Sequence, residues 1–412
     1  MKYSIVTFGC RVNQADSFVI EEQLRQRGGI EAAPEDADLV VVNTCSVTAT
    51  ADQGARQTIR RIARCNPDVQ VVVTGCYATR RPDEIRALPN VVRVVGNDRK
   101  ESLVELTTAE RFAGADGPCG SPIGASAKAG SALEPGVAGR TALTLRVQTG
   151  CDQHCSYCII PSTRGTGRSR PLGDVLKDIR RAIDAGYREV AITGVHLGSY
   201  GRDLGDGTTL TALVRALGEW PDDVLFRISS LEPMDCTREI IDVAARSPRI
   251  APHFHLPLQH GSDAMLAAMR RPYTVAYYRE LAATLRARLP HASLGSDIIV
   301  GFPGETDAHF AEMATVLESL PLTYVHVFPY SDRPGTAAAR LTGKVDGNAI
   351  RARARVVREM ARRKADAFRR SQDGRTVRAL VVDDGCSAVT GNYLKVRLEK
   401  PHTRNTWINV TL

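Results

Sequence analysis

The segment GCDQHCSYC, Gly150 to Cys158, places three cysteines at Cys151, Cys155 and Cys158, a C-x3-C-x2-C spacing with no fourth cysteine close behind. Structural zinc sites close on four protein ligands, and iron–sulfur clusters are also usually held by four thiolates. A triplet therefore leaves one metal position free, and an open position is how metal sites admit a substrate or cofactor. A zinc knuckle is the alternative, but its partners are missing: His154 lies too close to both flanking cysteines to complete a compact tetrahedral set. A cubane cluster with one free iron suits the spacing, because that iron could bind a bidentate small molecule. The segment directly follows the apolar run TALTLRVQ, Thr141–Gln148, which reads as a strand, so the triplet is expected at a strand's C-terminal end.

Around this segment the chain repeats a strand–helix rhythm. Strands are expected at TALTLRVQ, EVAITGV, LFRISSL, HFHLPLQ, LGSDIIVG and YVHVFPY, with helices such as Leu172–Ala185, Thr209–Leu217 and Val275–Leu289 between them. About six β/α units in residues 141–350 indicate a partial or full TIM-type (β/α) barrel, whose chemistry sits at the C-terminal strand ends.

Upstream, residues 1–115 show short Val-rich runs, YSIVTFG, ADLVVVNTC, VQVVVTGC and VVRVVG, separated by helix-like stretches including Asp16–Arg27 and Thr50–Arg64. Continuous apolar strands alternating with helices indicate an α/β domain with a parallel sheet covered on both faces. Cys10, Cys45 and Cys76 each follow such a strand. C-terminal strand ends share one edge of a parallel sheet, so these three distant cysteines are expected to converge. Residues 116–140 are rich in Gly, Ala, Ser and Pro and read as a flexible linker, which places Cys119 outside any ligand set. Cys65, Cys236 and Cys386 have no partner at ligand spacing and are expected to be structural.

The chain has 412 residues, ten cysteines and a net charge of +8. That length suits two or three domains. No apolar run reaches the roughly 18–20 residues that span a bilayer, and the N-terminus does not read as a signal peptide, so a cytoplasmic protein is expected. Cysteines in a reducing compartment point to metal or redox chemistry rather than disulfides. Residues 351–412 hold fifteen Lys/Arg against six Asp/Glu, so the positive charge is a property of the tail. Residues 351–370 read as one basic helix, and residues 371–412 as short strands of a small β module of a kind that often binds RNA. A polyanion, nucleic acid before others, is the partner this asymmetry suggests.

The C-x3-C-x2-C loop after the first strand of a barrel resembles the radical S-adenosylmethionine superfamily. GCRVNQADS (9–17), NTCSVTATAD (43–52), VTGCYA (73–78), CIIPSTRGTGRSR (158–170), PLQHGSDAML (257–266) and SDIIVGFPGET (296–306) resemble its methylthiotransferases. The resemblance implies two [4Fe–4S] clusters, one on Cys151, Cys155 and Cys158 and one on Cys10, Cys45 and Cys76. It further implies that the free iron of the first binds the amino and carboxyl groups of S-adenosylmethionine, which is cleaved to a 5′-deoxyadenosyl radical. Gly194 then belongs to the pocket for the cofactor's methionine end, Glu232 to its ribose, and Tyr157 to its surroundings. Arg164, with Arg168 and Arg170, is expected at phosphates or at the cofactor carboxylate. His253, His255 and His260 read as pocket or core histidines.

GCRVNQADS, NTCSVTATAD, AITGVHLGSYG (191–201) and RISSLEP (227–233) look most like the branch acting on threonylcarbamoyladenosine beside the tRNA anticodon. Action on isopentenyladenosine tRNA, or on a ribosomal-protein aspartate, is the alternative within the family; a non-catalytic metal-containing RNA-binding protein is the alternative outside it. The resemblance implies the tRNA anticodon stem-loop and an electron donor such as flavodoxin or ferredoxin as partners, and a monomer; it does not name the sulfur donor. The C-terminal module is shorter than the family's RNA-binding (TRAM) barrel.

Overall fold

The computed structural model describes residues 1–112, 135 and 141–412, so the linker with Cys119 lies almost wholly outside the described residues. The chain divides into two compact units: Met1–Glu134 with Ser162–Gly165, and Pro135–Pro161 with Thr166–Leu412.

In the first unit, strands β1 (Lys2–Thr7), β2 (Ile30–Glu31), β3 (Leu39–Thr44), β4 (Gln70–Gly75) and β5 (Val91–Val95) form one sheet in the order β2-β1-β3-β4-β5. Every pairing is parallel. The Val runs explain why: Val40, Val42, Val71 and Val73 pack on one side with Ala55, Ile59 and Ile62 of the helix Ala49–Cys65. Leu39, Val41 and Val72 pack on the other with Ile20 and Leu24 of the helix Arg11–Gln26. Strands apolar on both faces can only be buried by helices on both faces. The strand order reverses between β1 and β3, which opens a crevice at their C-terminal ends.

In the second unit, β6 (Leu143–Thr149), β8 (Glu189–Gly194) and β9 (Leu225–Ile228) are parallel, with the short β7 (Arg168–Ser169) antiparallel on the β6 edge. Strands β10 (His253–His255), β11 (Ser293–Val300) and β12 (Tyr324–Pro329) continue in parallel. A parallel bridge from Phe226 to Ile250 links the two groups. Six parallel strands in sequence order make a partial barrel, where the sequence left partial or full open.

The tail forms an antiparallel sheet of β13 (Thr376–Val382), β14 (Ser387–Thr390), β15 (Lys395–Arg397) and β16 (Trp407–Thr411), in the order β15-β14-β13-β16. It docks at the N-terminal ends of the barrel strands. Arg378 and Arg249 both bond Asp223, just ahead of β9, and hold its carboxyl down to about 2. Asn392 donates to the His291 carbonyl ahead of β11, and Asn405 to the Gly186 carbonyl ahead of β8. Deeper in, Arg227 is fully buried: its Nε donates to Glu189 Oε1 at 2.8 Å, its Nη1 to the Gly391 carbonyl at 2.9 Å, and its guanidinium lies 4.5 Å from the centre of the Tyr393 ring. The basic helix runs over Gly347–Arg370, four residues longer at its start than the sequence suggests, because Asp346 caps it by accepting from the backbone N–H groups of Asn348 and Ala349.

Arg227→Met should lower the stability of the second unit by about 3–5 kcal/mol, because it strands the buried Glu189 carboxylate. Arg227→Met with Glu189→Leu should recover most of that loss. The midpoint of urea unfolding, followed by circular dichroism, measures both.

Candidate iron–sulfur and cofactor sites

Cys10 and Cys76 open helices and Cys45 leaves β3, all at the C-terminal edge of the first sheet. Two glycines bring their loops together. Gly9 has φ +95°, and a Cβ there would lie 2.6 Å from the Cys45 Cβ and 2.8 Å from its Sγ. Gly75 has φ +98°, and a Cβ there would lie 2.2 Å from the Thr44 carbonyl oxygen. A side chain at either position would push the cysteine loops apart and would strain the backbone. Burial pushes the Cys45 thiol up to about 11, against a backbone hydrogen bond from Val47, and the charges of Cys10, Cys76 and Asp52 add to the rise. Cys10, Cys45 and Cys76 thus sit along one sheet edge, and three thiol ligands there fit a multi-iron cluster.

Behind the thiols lies a buried polar network. Asn13 Nδ2 donates to the Phe8 and Thr44 carbonyls at 2.7 and 2.9 Å, tying the Cys10 loop to the Cys45 loop. Arg80 bonds Ser46 Oγ and Asp52 beside Cys45. Arg164 belongs to this unit: its guanidinium is buried on Asn13 and Asp16. The sequence sets Arg164 at phosphates or at the cofactor carboxylate; within the chain it donates to the side-chain oxygens of these two residues.

In the second unit, Cys151, Cys155 and Cys158 occupy a compact loop after β6. The Cys158 N–H donates to the Cys155 carbonyl at 3.1 Å, and the Ile160 N–H points at Cys158 Sγ at 3.5 Å. Ser156 anchors the loop through its N–H to the Met269 carbonyl and its hydroxyl to the Ala268 carbonyl, and accepts from the Ala338 N–H. Gln148 braces its start, donating to the Thr149 and Gly150 carbonyls while accepting from the His196 N–H. Burial pushes the Cys158 thiol up to about 12, and the charges of Cys155 and Cys151 add to it. A short loop that carries three cysteines and is held still in this way fits a cluster of the same kind.

Two side chains beside this triplet were not singled out by sequence reading. Arg271 donates through Nη1 to Cys155 Sγ at 3.0 Å and through Nε to the Tyr273 hydroxyl at 3.0 Å, and it pairs with Glu232. His196 Nε2 lies 2.9 Å from Asp235 Oδ2. Burial alone would lower this imidazole, but hydrogen bonds with Asp235 and Cys151 raise it to about 9, so it is protonated near neutrality. Both residues place positive charge against a triplet thiol. The only sequence signal for either was its place within or just after a quoted motif.

The remaining expected residues are dispersed. Glu232 is the carboxylate that takes Arg271. Tyr157 packs its ring against an apolar cluster that includes Met265, Met269 and Phe302. A Cβ on Gly194 would lie 3.0 Å from Gln148 Oε1, so this glycine makes room for the Gln148 brace. Arg168 is exposed, and Arg170 pairs with Asp178 at 2.6 Å. His253 and His255 share one face of β10, and both bond the Tyr324 hydroxyl. His260 is elsewhere, against Glu305, while His255 joins Asp297 and His326 with ligand atoms within 4.8 Å of one another. Cys236 is buried and Cys65 exposed.

Known proteins bear on both sites. Residues 2–96 match the family described as Uncharacterized protein family UPF0004, and residues 145–317 match the Radical SAM superfamily. A threonylcarbamoyladenosine tRNA methylthiotransferase of Bacillus subtilis is 40% identical over 83% of this chain and 76% of its own. One of Aquifex aeolicus is 35% identical over 97% of both chains. A tRNA-2-methylthio-N(6)-dimethylallyladenosine synthase of Acidothermus cellulolyticus is 34% identical over 92% of this chain and 77% of its own. Among solved structures, a radical S-adenosylmethionine methyltransferase of Kitasatospora setae shares the fold, with TM-score 0.58 at 17% identity over 82% of this chain and 74% of that one.

Gly9→Val should reduce iron retained by the first triplet to well below half, because the added side chain collides with Cys45 in a left-handed backbone. Iron per chain, assayed in a Cys151→Ala/Cys155→Ala/Cys158→Ala background, reads this directly; unchanged iron would show that the Gly9–Cys45 contact does not shape the site.

Proposed function

This chain belongs to the tRNA methylthiotransferase family, and we propose that it adds a methylthio group to C2 of N6-threonylcarbamoyladenosine beside the anticodon of tRNA. The observation that carries this reading is the presence in one chain of two separate cysteine triplets, Cys10, Cys45 and Cys76 at one sheet edge and Cys151, Cys155 and Cys158 in the loop after β6. One open cluster suffices to cleave S-adenosylmethionine; a second suits presentation of sulfur. The choice of threonylcarbamoyladenosine is supported by the B. subtilis and A. aeolicus relatives that bear its name.

In this reading Cys151, Cys155 and Cys158 hold one [4Fe–4S] cluster, and Cys10, Cys45 and Cys76 the other. When bound, the clusters and S-adenosylmethionine supply the radical and the sulfur. The protein's own residues orient and insulate. Arg271 neutralises Cys155 and fixes Glu232, which in turn is positioned for the cofactor ribose. His196, held protonated by Asp235, places a second positive charge at Cys151. Tyr157 walls the loop with its ring and excludes water, and Gly194 leaves the backbone open at the methionine end. Electrons come from a donor of the flavodoxin or ferredoxin kind.

For the RNA, the basic helix offers a row. Arg351, Arg355, Arg358 and Arg362 are exposed at spacings of four, three and four residues, which puts them on one helix face. They line a groove with Pro329, the last residue of β12. The row thus starts at the C-terminal end of the barrel strands, the end that carries the cysteine loop.

Nucleoside analysis of tRNA from a strain lacking this gene should show loss of 2-methylthio-threonylcarbamoyladenosine with accumulation of its unthiolated precursor. Loss of the methylthio form of isopentenyladenosine instead would assign the chain to the other branch. Cys10→Ala should spare reductive cleavage of S-adenosylmethionine and abolish methylthiolation, while Cys155→Ala should abolish both. Replacing the four arginines of the row by Ala should weaken tRNA binding by about tenfold or more at low salt and flatten the dependence of affinity on salt, since each phosphate contact contributes roughly 0.9 to that slope. Fluorescence anisotropy across a salt series measures it.

A further inference from the structure

Asp16 is where two buried basic side chains meet. Lys100 Nζ donates to Asp16 Oδ2 at 2.8 Å and to Asn43 Oδ1 at 2.9 Å. Arg164 Nη2 donates to the same Asp16 oxygen at 3.1 Å and to Asn13 Oδ1 at 2.5 Å. Lys100, Asp16 and Arg164 are 6%, 4% and 5% exposed, and Asn13 and Asn43 are fully buried. The two asparagines carry no charge, and burial lowers the Lys100 ammonium, so the Arg164 guanidinium is the permanent charge of the group. It lies beside the first cysteine triplet: Asn13, which accepts from it, donates to the Phe8 and Thr44 carbonyls ahead of Cys10 and Cys45. Asn97, which donates to the carbonyl of the preceding residue, Thr163, at 2.8 Å, also lies 3.7 Å from Cys76 Sγ.

A [4Fe–4S]2+ core on three thiolates carries one net negative charge, and one-electron reduction to [4Fe–4S]+ adds a second. Charges and hydrogen bonds at the ligand sulfurs are among the levers that set a cluster's potential. We propose that Arg164, braced by Asp16 and Lys100, is a positioning residue that raises the reduction potential of the cluster on Cys10, Cys45 and Cys76. This rests on the reading of that triplet as a cluster site. A neutral side chain at position 164 leaves the reduced form with one fewer buried counter-charge and makes reduction harder.

The test uses the full chain with Cys151→Ala, Cys155→Ala and Cys158→Ala, reconstituted without oxygen so that only the first triplet can hold iron. Its reduction by dithionite in the presence of mediators is followed by electron paramagnetic resonance. In the Arg164→Gln variant of that protein, iron per chain should be unchanged. At the parent's midpoint potential the ratio of reduced to oxidised cluster should fall about tenfold, equal to a shift of about 59 mV for one electron. Arg164→Lys should recover most of the shift by restoring the charge. An unchanged ratio in Arg164→Gln with full iron overturns the proposal. So does loss of iron in both variants with native circular dichroism, which would make Arg164 a residue of cluster assembly. If the triple-Ala parent itself binds no iron, the cluster reading fails first, and the proposal with it.

Discussion

The arrangement of the first unit depends on a property of parallel sheets: their strands all end at one edge, about 4.8 Å apart. Cys10, Cys45 and Cys76 are separated by tens of residues, yet they leave β1, β3 and β4, three neighbours in the sheet. The reversal of strand order between β1 and β3 opens the edge just where two of the three emerge. Small residues complete the approach. Without the left-handed backbone at Gly9 and Gly75, the loops could not stack side chain on backbone as closely as they do. The sheet thus performs for dispersed cysteines what a short loop performs for Cys151, Cys155 and Cys158.

The two solutions make different demands. A local triplet needs only that its loop be held still, and the second unit does this with backbone bonds from Ser156 and the Gln148 side chain. A dispersed triplet needs three loops held against each other, and it is here that polar groups are buried in number: Asn13, Asn43, Asp16, Lys100 and Arg164 are all inaccessible. Buried polar networks are stable only when each member is satisfied, and a satisfied network fixes one geometry. Asn13 illustrates this, since one side chain bonds the backbone on both sides of the Cys10 and Cys45 loops while its oxygen receives Arg164.

The parts of this fold that a sequence reveals are those written in short-range patterns. Val runs such as ADLVVVNTC mark fully buried strands, and a cysteine after each run marks the sheet edge; both readings carry through to β3 and its neighbours. The cysteine loop is legible because its ligands are contiguous. What stays hidden is which distant side chain satisfies which group. Arg164 sits six residues after Cys158 and by position looks like part of that loop, yet its partners are Asn13 and Asp16, about 150 residues upstream. Arg271 and His196 are ordinary residues until the fold brings them to Cys155 and Cys151. Gly194 lies against the Gln148 side chain, a contact that the motif around it does not announce. Strand β14 carries little apolar signal of its own in SAVT, and its pairing with β13 and β15 is what makes it a strand.

The C-terminal sheet follows the same division between the two ends of the barrel. It is tied by Arg378 to Asp223 and by Asn405 to the Gly186 carbonyl, both ahead of strands, and by the Gly391 carbonyl to Arg227 within β9. Tyr393 reaches in far enough to lie against both Arg227 and His253. In (β/α) barrels that end serves stability while the opposite end serves chemistry. A module packed into the floor in this way leaves the opposite, C-terminal ends of the strands uncovered by it. The helix Gly347–Arg370 is anchored there by its buried Arg353 on Glu305 and Asp307, while the arginine row on its other face is exposed. One helix thereby divides its arginines by face: those turned inward lock it to the barrel, and those turned outward stay in water.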